Sequence, residues 1–228
     1  MSGIYEIELR HRADPHEPIG DRHRKFVEVM ARYAPPWGLK GEEIPAVPDI
    51  PPGNLSATVK LRVLSPRGER SYISYKFRSE KYLKDNAQYD DFVIVRFKPQ
   101  AAGARLGELF NDVFPAYIEG FDCYRAGIGD SEVKMADWDR VVELCNSTGK
   151  DVDGRDGVHR IHPANYFDRE LSRRAFGLTP EKIAERLQGK VEKVSMLGDG
   201  VLVICRSKLP LPREEYERID GEVRALLK

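Results

Sequence analysis

The strongest constraint on the fold is the stretch from Asp91 to Ile128. Its first part, residues 92–97 (FVIVRF), is almost continuously apolar and rich in β-branched residues, which is typical of a strand covered on both faces. After a Pro/Gly loop at 99–103, apolar residues recur at helical spacing and predict one buried helix stripe. These residues are Leu106, Leu109, Phe110, Val113, Phe114 and Tyr117. A doubly covered strand followed by such a helix requires a sheet with a second layer packed on it.

Similar patterns predict a mixture of strands and helices along the rest of the chain. The predicted strands cover 5–9, 59–63, 73–77, 158–161, 191–196 and 201–205. Further helices are predicted from Asp21, over 138–145 and 163–176, after Thr179 and after Pro212. Because two of the connections are hairpins, we predict an α+β fold with a largely antiparallel sheet and several amphipathic helices packed on it. Residues 1–228 are expected to form one domain, with a division into subdomains 1–88 and 89–228 left open.

The composition indicates a globular protein with a strongly charged surface. The 228 residues include 37 Lys and Arg against 37 Asp and Glu, so no basic excess favours nucleic acid as a partner. No apolar run approaches the roughly 20 residues that span a bilayer, and the N-terminus lacks a signal-peptide core. The three cysteines are far apart and odd in number, as expected for free thiols in a cytoplasmic protein.

No motif predicts a cofactor, a metal site or a catalytic residue. The sequence contains neither phosphate-binding glycine pattern and no nucleophile elbow. His159 and His162 are three residues apart and precede Pro163, so neither a strand nor a helix would make them converge on a metal. The acidic run that begins at Asp151 also fails the calcium-loop pattern, because Asp156 replaces the glycine at its sixth position.

Two alternative functions rest on weaker observations. An enzyme whose catalytic residues are scattered in sequence would leave no motif. DNA binding is the other alternative, because the helices predicted over 163–188 carry a local basic cluster. That cluster consists of Arg169, Arg173, Arg174, Lys182 and Arg186.

An acidic, glycine-rich region at 127–157 is the preferred candidate for contact with a partner. Acidic side chains around an aromatic anchor suit a basic protein partner. The proline-rich segment 34–54 is predicted to lie on the surface and to add Trp37 to the contact. The predicted protein-binding residues are Trp37, Asp130, Glu132, Asp137, Trp138, Asp139, Asp151, Asp153 and Asp156.

The second half of the chain also resembles a known kind of protein. The pieces VIVRF, FPAYIEGFDCYRAGIGD and the run from Val158 to Ile204 resemble immunity proteins of bacterial polymorphic-toxin and type VI secretion systems. The resemblance covers about 91–228 and is closest to antagonists of nuclease toxins. It implies stoichiometric inhibition of a cognate toxin protein in the cytoplasm, with no catalysis. The missing motifs and apolar runs add the expectation of no cofactor and no membrane partner. The resemblance leaves the oligomeric state open.

Overall fold

A computed structural model describes residues 3–66 and 68–228, with the backbone alone for Ala104. The strands are β1 (Tyr5–His11), β2 (Ser56–Lys60), β3 (Tyr72–Lys76), β4 (Asp91–Phe97), β5 (Arg125–Asp130), β6 (Ala164–Phe167), β7 (Lys193–Leu197) and β8 (Gly200–Ile204). The α-helices are α1 (Ile19–Met30), α2 (Pro99–Ala102), α3 (Leu106–Glu108), α4 (Phe114–Phe121), α5 (Ser131–Thr148), α6 (Arg169–Phe176), α7 (Pro180–Leu187) and α8 (Arg213–Leu227).

All of the strands belong to one sheet in the order β2-β3-β4-β1-β5-β6-β8-β7, and each neighbouring pair is antiparallel. This arrangement confirms the predicted α+β class. The N-terminal strand β1 lies inside the sheet, between β4 and β5. Strands from both sides of residue 88 therefore share one sheet.

The two faces of β1 differ in chemistry. Tyr5, Ile7 and Leu9 are fully buried, whereas the alternate positions carry Glu6, Glu8 and Arg10. Side chains of a strand alternate between faces, so one face of the central sheet is apolar and the other is charged. Helices α1 and α4 cover the apolar face, with the two helices in contact and α4 packed on β1.

A second helical layer covers the opposite face at the other end of the sheet. The register places Arg10 beside Arg125, and Arg125 beside Phe167, so Phe167 lies on the charged face. Its ring contacts Phe176 of α6, with centroids 5.2 Å apart, and α7 packs on β7 and β8. The charged face of β1 is instead approached by α5 and by residues 150–162, which supply the cations and acids described below.

The helix stripe predicted over 106–117 is confirmed, but the helix is not regular. A π-helical turn, Leu109–Val113, separates α3 from α4 and ends just before Pro115. Proline has no backbone N–H to donate to the preceding turn, and a widened turn is one way to accommodate it. All five stripe residues from Leu109 to Tyr117 are buried.

The predictions for 158–176 were partly wrong. Residues 158–161 form no strand, and the helix expected from Pro163 begins only at Arg169. Strand β6 (Ala164–Phe167) forms where the first turn of this helix was expected, because its residues pair with β5 and β8. Strand β5 was not predicted, and α5 is longer than the expected 138–145. Arg67, in the turn predicted between the strands 59–63 and 73–77, lies outside the described residues.

Candidate functional site

Helix α5 begins and ends at well-defined caps. The carboxylate of Asp130 accepts a hydrogen bond from the backbone N–H of Glu132 at 2.8 Å, which satisfies one free donor of the first turn. Gly149 ends the helix in the left-handed conformation, with φ of 66°. Of its 18 residues only Val133 is buried. The helix is thus fixed at its start while most of its surface remains exposed.

The outer face of α5 carries an exposed apolar stripe. Met135 is 76% exposed, Trp138 64% and Val142 38%. Their spacing of i, i+3 and i+7 places them on one side of the helix. A contiguous apolar stripe of this kind on a charged protein is typical of a protein contact site, and Trp is the residue most enriched among binding hot spots.

An acidic row runs beside this stripe. Glu132, Asp139 and Glu143 are exposed and lie at i, i+7 and i+11. At 100° per residue they fall within about 80° of Met135 around the helix axis, all on the same side of the stripe. We define the outer face of α5 as these three acids together with Met135, Trp138 and Val142. It combines an apolar anchor with negative charge, a combination that suits a basic partner.

The inner side of α5 is held by ion pairs. The ammonium of Lys134 lies 3.0 Å from Glu6 Oε1 and 2.5 Å from Glu8 Oε2, on the charged face of β1. Burial alone would raise the pKa of the Glu8 carboxyl, but Arg10 and Lys134 hold that pKa well below its usual range. Farther along the helix, Asp137 pairs with Arg160. Charge pairing therefore fixes which side of α5 faces the protein and leaves the apolar stripe outside.

The acids of residues 150–157 are engaged within the fold. Asp151 accepts hydrogen bonds from the backbone N–H groups of Ala87 (2.7 Å) and Arg155 (2.9 Å). Asp153 Oδ1 lies 2.5 Å from Arg125 Nη2. Burial alone would raise the pKa of Asp153, but this cation outweighs burial and the pKa is lowered. An Oδ1–Nη1 distance of 3.2 Å joins Asp156 to Arg174. The Gly- and Asp-rich sequence of this segment predicts an exposed turn. The turn is present, but residues 151–157 are half-buried or buried, so only the predicted exposure was wrong.

The centre of this segment is a buried ion pair. Arg155 Nε donates to Asp90 Oδ1 at 2.8 Å, and the side chains are 7% and 0% exposed. The same carboxylate accepts a hydrogen bond from the Tyr124 hydroxyl at 2.5 Å. Burial raises the pKa of Asp90, and the cations Arg10 and Arg155 offset part of that effect. The pair joins the 150–157 segment to the start of β4.

The side chain of His162 is buried against strand β5. Its ring lies over two glycines of β5, and a Cβ added at Gly129 would lie 2.7 Å from His162 Nδ1. Among the described residues this buried Nδ1 atom has no hydrogen-bond partner. Burial, followed by the nearby Lys134 ammonium, lowers the pKa of His162 to about 3. The ring is therefore neutral near pH 7 and serves to fill space against β5.

The structure divides the predicted site residues into three groups. Trp37 is fully buried and donates its indole N–H to the carbonyl of Arg105 at 3.1 Å, so its predicted surface role was wrong. Asp130 and Asp137 are used by the cap and by Arg160, and the three acids of 150–157 lie in the internal pairs described above. Glu132, Trp138 and Asp139 remain together on the outer face of α5.

Met135 and Val142 were missing from the predicted site. The signal that would have found them is the spread of apolar residues around α5. Val133, Val141 and Leu144 point to one side, while Met135 and Trp138 point to another. A helix that carries apolar residues on two sides can bury only one of these sides against its own domain, so the other side stays exposed.

Other candidate chemistry has less support in the described part of the chain. No group of three or more His, Cys, Asp or Glu side chains is placed to hold a metal there. Burial raises the pKa of the Cys205 thiol to about 12, which makes it a poor nucleophile. In the basic cluster at 169–186, Arg169 pairs with Glu181 and Lys182 with Glu185, so these cations are partly neutralised.

No helix in residues 3–66 and 68–228 is both long and apolar enough to cross a bilayer. Comparisons of the sequence with protein-family models and with curated protein sequences find no match.

Proposed function

We propose that this protein is an immunity protein, which binds a cognate antibacterial toxin and neutralises it by stoichiometric inhibition in the cytoplasm. The observation that carries the proposal is the outer face of α5. It presents Trp138 and Met135, 64% and 76% exposed, on a helix anchored by Lys134 and Asp137. A rigid helix loses little conformational freedom when a partner binds, so more of the contact energy appears as affinity.

The acidic row indicates which side chains the partner presents to α5. Glu132, Asp139 and Glu143 favour a partner with Lys or Arg beside an apolar socket for Trp138. Nuclease toxins carry such cations because they bind phosphates. An acidic helix seated on those cations would block substrate binding, and this is the inhibition mechanism that we propose. The three free cysteines are consistent with action in a reducing compartment.

The test begins with the product of the open reading frame next to this gene. We expect the protein to form a one-to-one complex with that product and to rescue cells that express it. Trp138→Ala should weaken the complex roughly 30-fold or more, because an anchor residue is worth about 2 kcal/mol. Thermal unfolding should not change, since the side chain is mostly exposed.

The matched control is Met196→Ala, which removes an exposed apolar side chain (42%) from β7 at the far edge of the sheet. It should bind and rescue like the wild type. If Trp138→Ala also binds and rescues like the wild type, the outer face of α5 is not the contact. If the neighbouring product neither binds nor is neutralised, it is not the partner. If no toxin of the same strain is neutralised, the inhibitory role must be abandoned.

A further inference from the structure

Strand β2 is an outer strand of the sheet, and among residues 3–66 and 68–228 only β3 pairs with it, so its other edge has no strand beside it there. The bonds Phe77 N–H to Leu55 O and Leu61 N–H to Ser71 O, both 2.9 Å, mark the odd-numbered residues as those bonded to β3. In an antiparallel ladder the alternate residues then direct their N–H and C=O groups away from the partner strand. Those residues are Ser56, Thr58 and Lys60, all exposed.

We propose that two copies of this chain associate through β2, antiparallel about a two-fold axis at Thr58. This register joins Thr58 to Thr58 of the second copy, and Ser56 to Lys60 of the second copy. All three outward residues then meet outward residues, so the edges exchange six backbone hydrogen bonds. The two sheets become one continuous sheet across the dyad. The inference is independent of the inhibitory role and of α5.

The side chains favour this register over its neighbours. Moving the axis to Lys60 would oppose two ammonium groups and leave fewer bonded pairs. If the two-fold axis moves by one residue, to Ala57 or Val59, only two pairs of outward residues remain in which both partners belong to β2. With the axis at Thr58, each Lys60 faces a serine, and Ala57 faces Val59 of the second copy on the other side of the sheet. The strand is thus complementary to itself in hydrogen bonding, and this register keeps the two Lys60 side chains apart.

Exposed apolar residues at both ends of β2 support a second copy as the occupant. Leu55 is 52% exposed and Phe77 beside it 43%, while Val63, beyond the other end, is 45% exposed. A two-fold axis brings the Leu55 end of one copy towards the Val63 end of the other, so each end gains an apolar neighbour. The opposite outer strand, β7, offers only Val194 and Met196 as outward residues, because Leu197 and Gly200 pair across its hairpin.

The first test is sedimentation equilibrium of the full chain from about 5 to about 200 µM, a range suited to a weak to moderate dimer. We expect a reversible dimer. Thr58→Pro removes an N–H that β3 does not use, so the fold should survive. The substitution deletes both central hydrogen bonds of the dyad and should weaken the dimer at least about tenfold. If Thr58→Pro fails to fold, Ser56→Pro makes the same test at the start of the strand.

A cysteine pair tests the register. In a Cys145→Ser background, Thr58→Cys places two thiols across the dyad, at a Cα separation near 5.5 Å that permits a disulfide. Ser56→Cys is the matched control, because its thiols would be separated by four residues, roughly 13 Å along the strand. We expect mild oxidation to link the first variant alone. A wild-type chain that stays monomeric throughout the concentration range, or equal cross-linking of both variants, would overturn the proposal.

Discussion

The outer face of α5 and the segment 150–157 are equally acidic in sequence, yet the fold uses them in opposite ways. In the segment, Asp151, Asp153 and Asp156 accept hydrogen bonds from backbone N–H groups or pair with arginines. On α5, Asp139 projects into solvent beside an exposed tryptophan. Acidic composition alone therefore does not identify a binding surface. What matters is whether the acids are already held by partly buried cations or by backbone N–H groups of the same chain.

The largest effect on stability is expected at the buried pair of Arg155 and Asp90 in the segment 150–157. Arg155→Ala leaves the Asp90 carboxylate, 0% exposed, without its closest cation. We expect a loss of about 3 kcal/mol in the free energy of unfolding, because an unpaired buried charge is costly. Urea unfolding at pH 7 measures it. The control on α5 is Arg140→Ala, whose 3.9 Å pair with Glu143 is exposed and should contribute less than about 0.5 kcal/mol. Equal losses from both substitutions would remove the distinction between the two regions.

The next largest effect is a dependence of the free energy of unfolding on pH, through His162. Burial, followed by the Lys134 ammonium, lowers the pKa of His162 from about 6.5 in the unfolded chain to about 3 in the folded one, so the fold favours its neutral form. Its contribution is complete above about pH 6.5 and is lost as the pH falls towards 3. Between pH 7 and pH 5 the wild type should lose about 2 kcal/mol of stability through this group.

The variant His162→Gln isolates that contribution, because the other titrating groups are shared. Urea unfolding of both proteins at pH 7, 6 and 5 gives the two slopes. The wild type should lose more stability with acid than the variant does. Parallel slopes would mean that protonated His162 is accommodated without cost, and that the ring is not sealed against Gly129.

Much of the fold follows from local patterns in the sequence. The alternation in β1, the Thr179-Pro180 helix start and the β7–β8 hairpin were all predicted correctly, because each depends on residues close together in the chain. Strand β5 was missed because it carries Gly127 and Gly129, which are poor strand formers. Gly129 is explained only by the folded chain, because a Cβ at that position would lie 2.7 Å from Nδ1 of His162.

The candidate site shows the same limit. Trp138 and Asp139 were predicted from composition and remain exposed on α5. Trp37 was predicted from its proline-rich surroundings, but the Tyr117 hydroxyl donates to its carbonyl and its ring contacts Phe97 at 5.1 Å. Burial of this kind is set by contacts across 60 or more positions of the chain, which no local pattern reveals.

The smallest expected effect on stability, and the sharpest test of the comparison, is charge reversal on α5. Asp139→Lys with Glu143→Lys should change the free energy of unfolding by less than about 0.5 kcal/mol, because both side chains are exposed. Binding to the neighbouring toxin should change far more. If the acidic row steers a basic partner, association should slow about tenfold at low salt, and the difference should shrink as salt is raised.

The control is Glu214→Lys with Glu217→Lys on α8, which makes the same change in net charge at two exposed positions of another helix. Stopped-flow association at two salt concentrations separates the possibilities. If only the α5 variant is slowed, attraction is local to the outer face. If both variants are slowed equally, the partner responds to net charge, and the position of the acids beside Trp138 has no special role. If neither is slowed, Trp138 and Met135 must account for recognition without electrostatic steering.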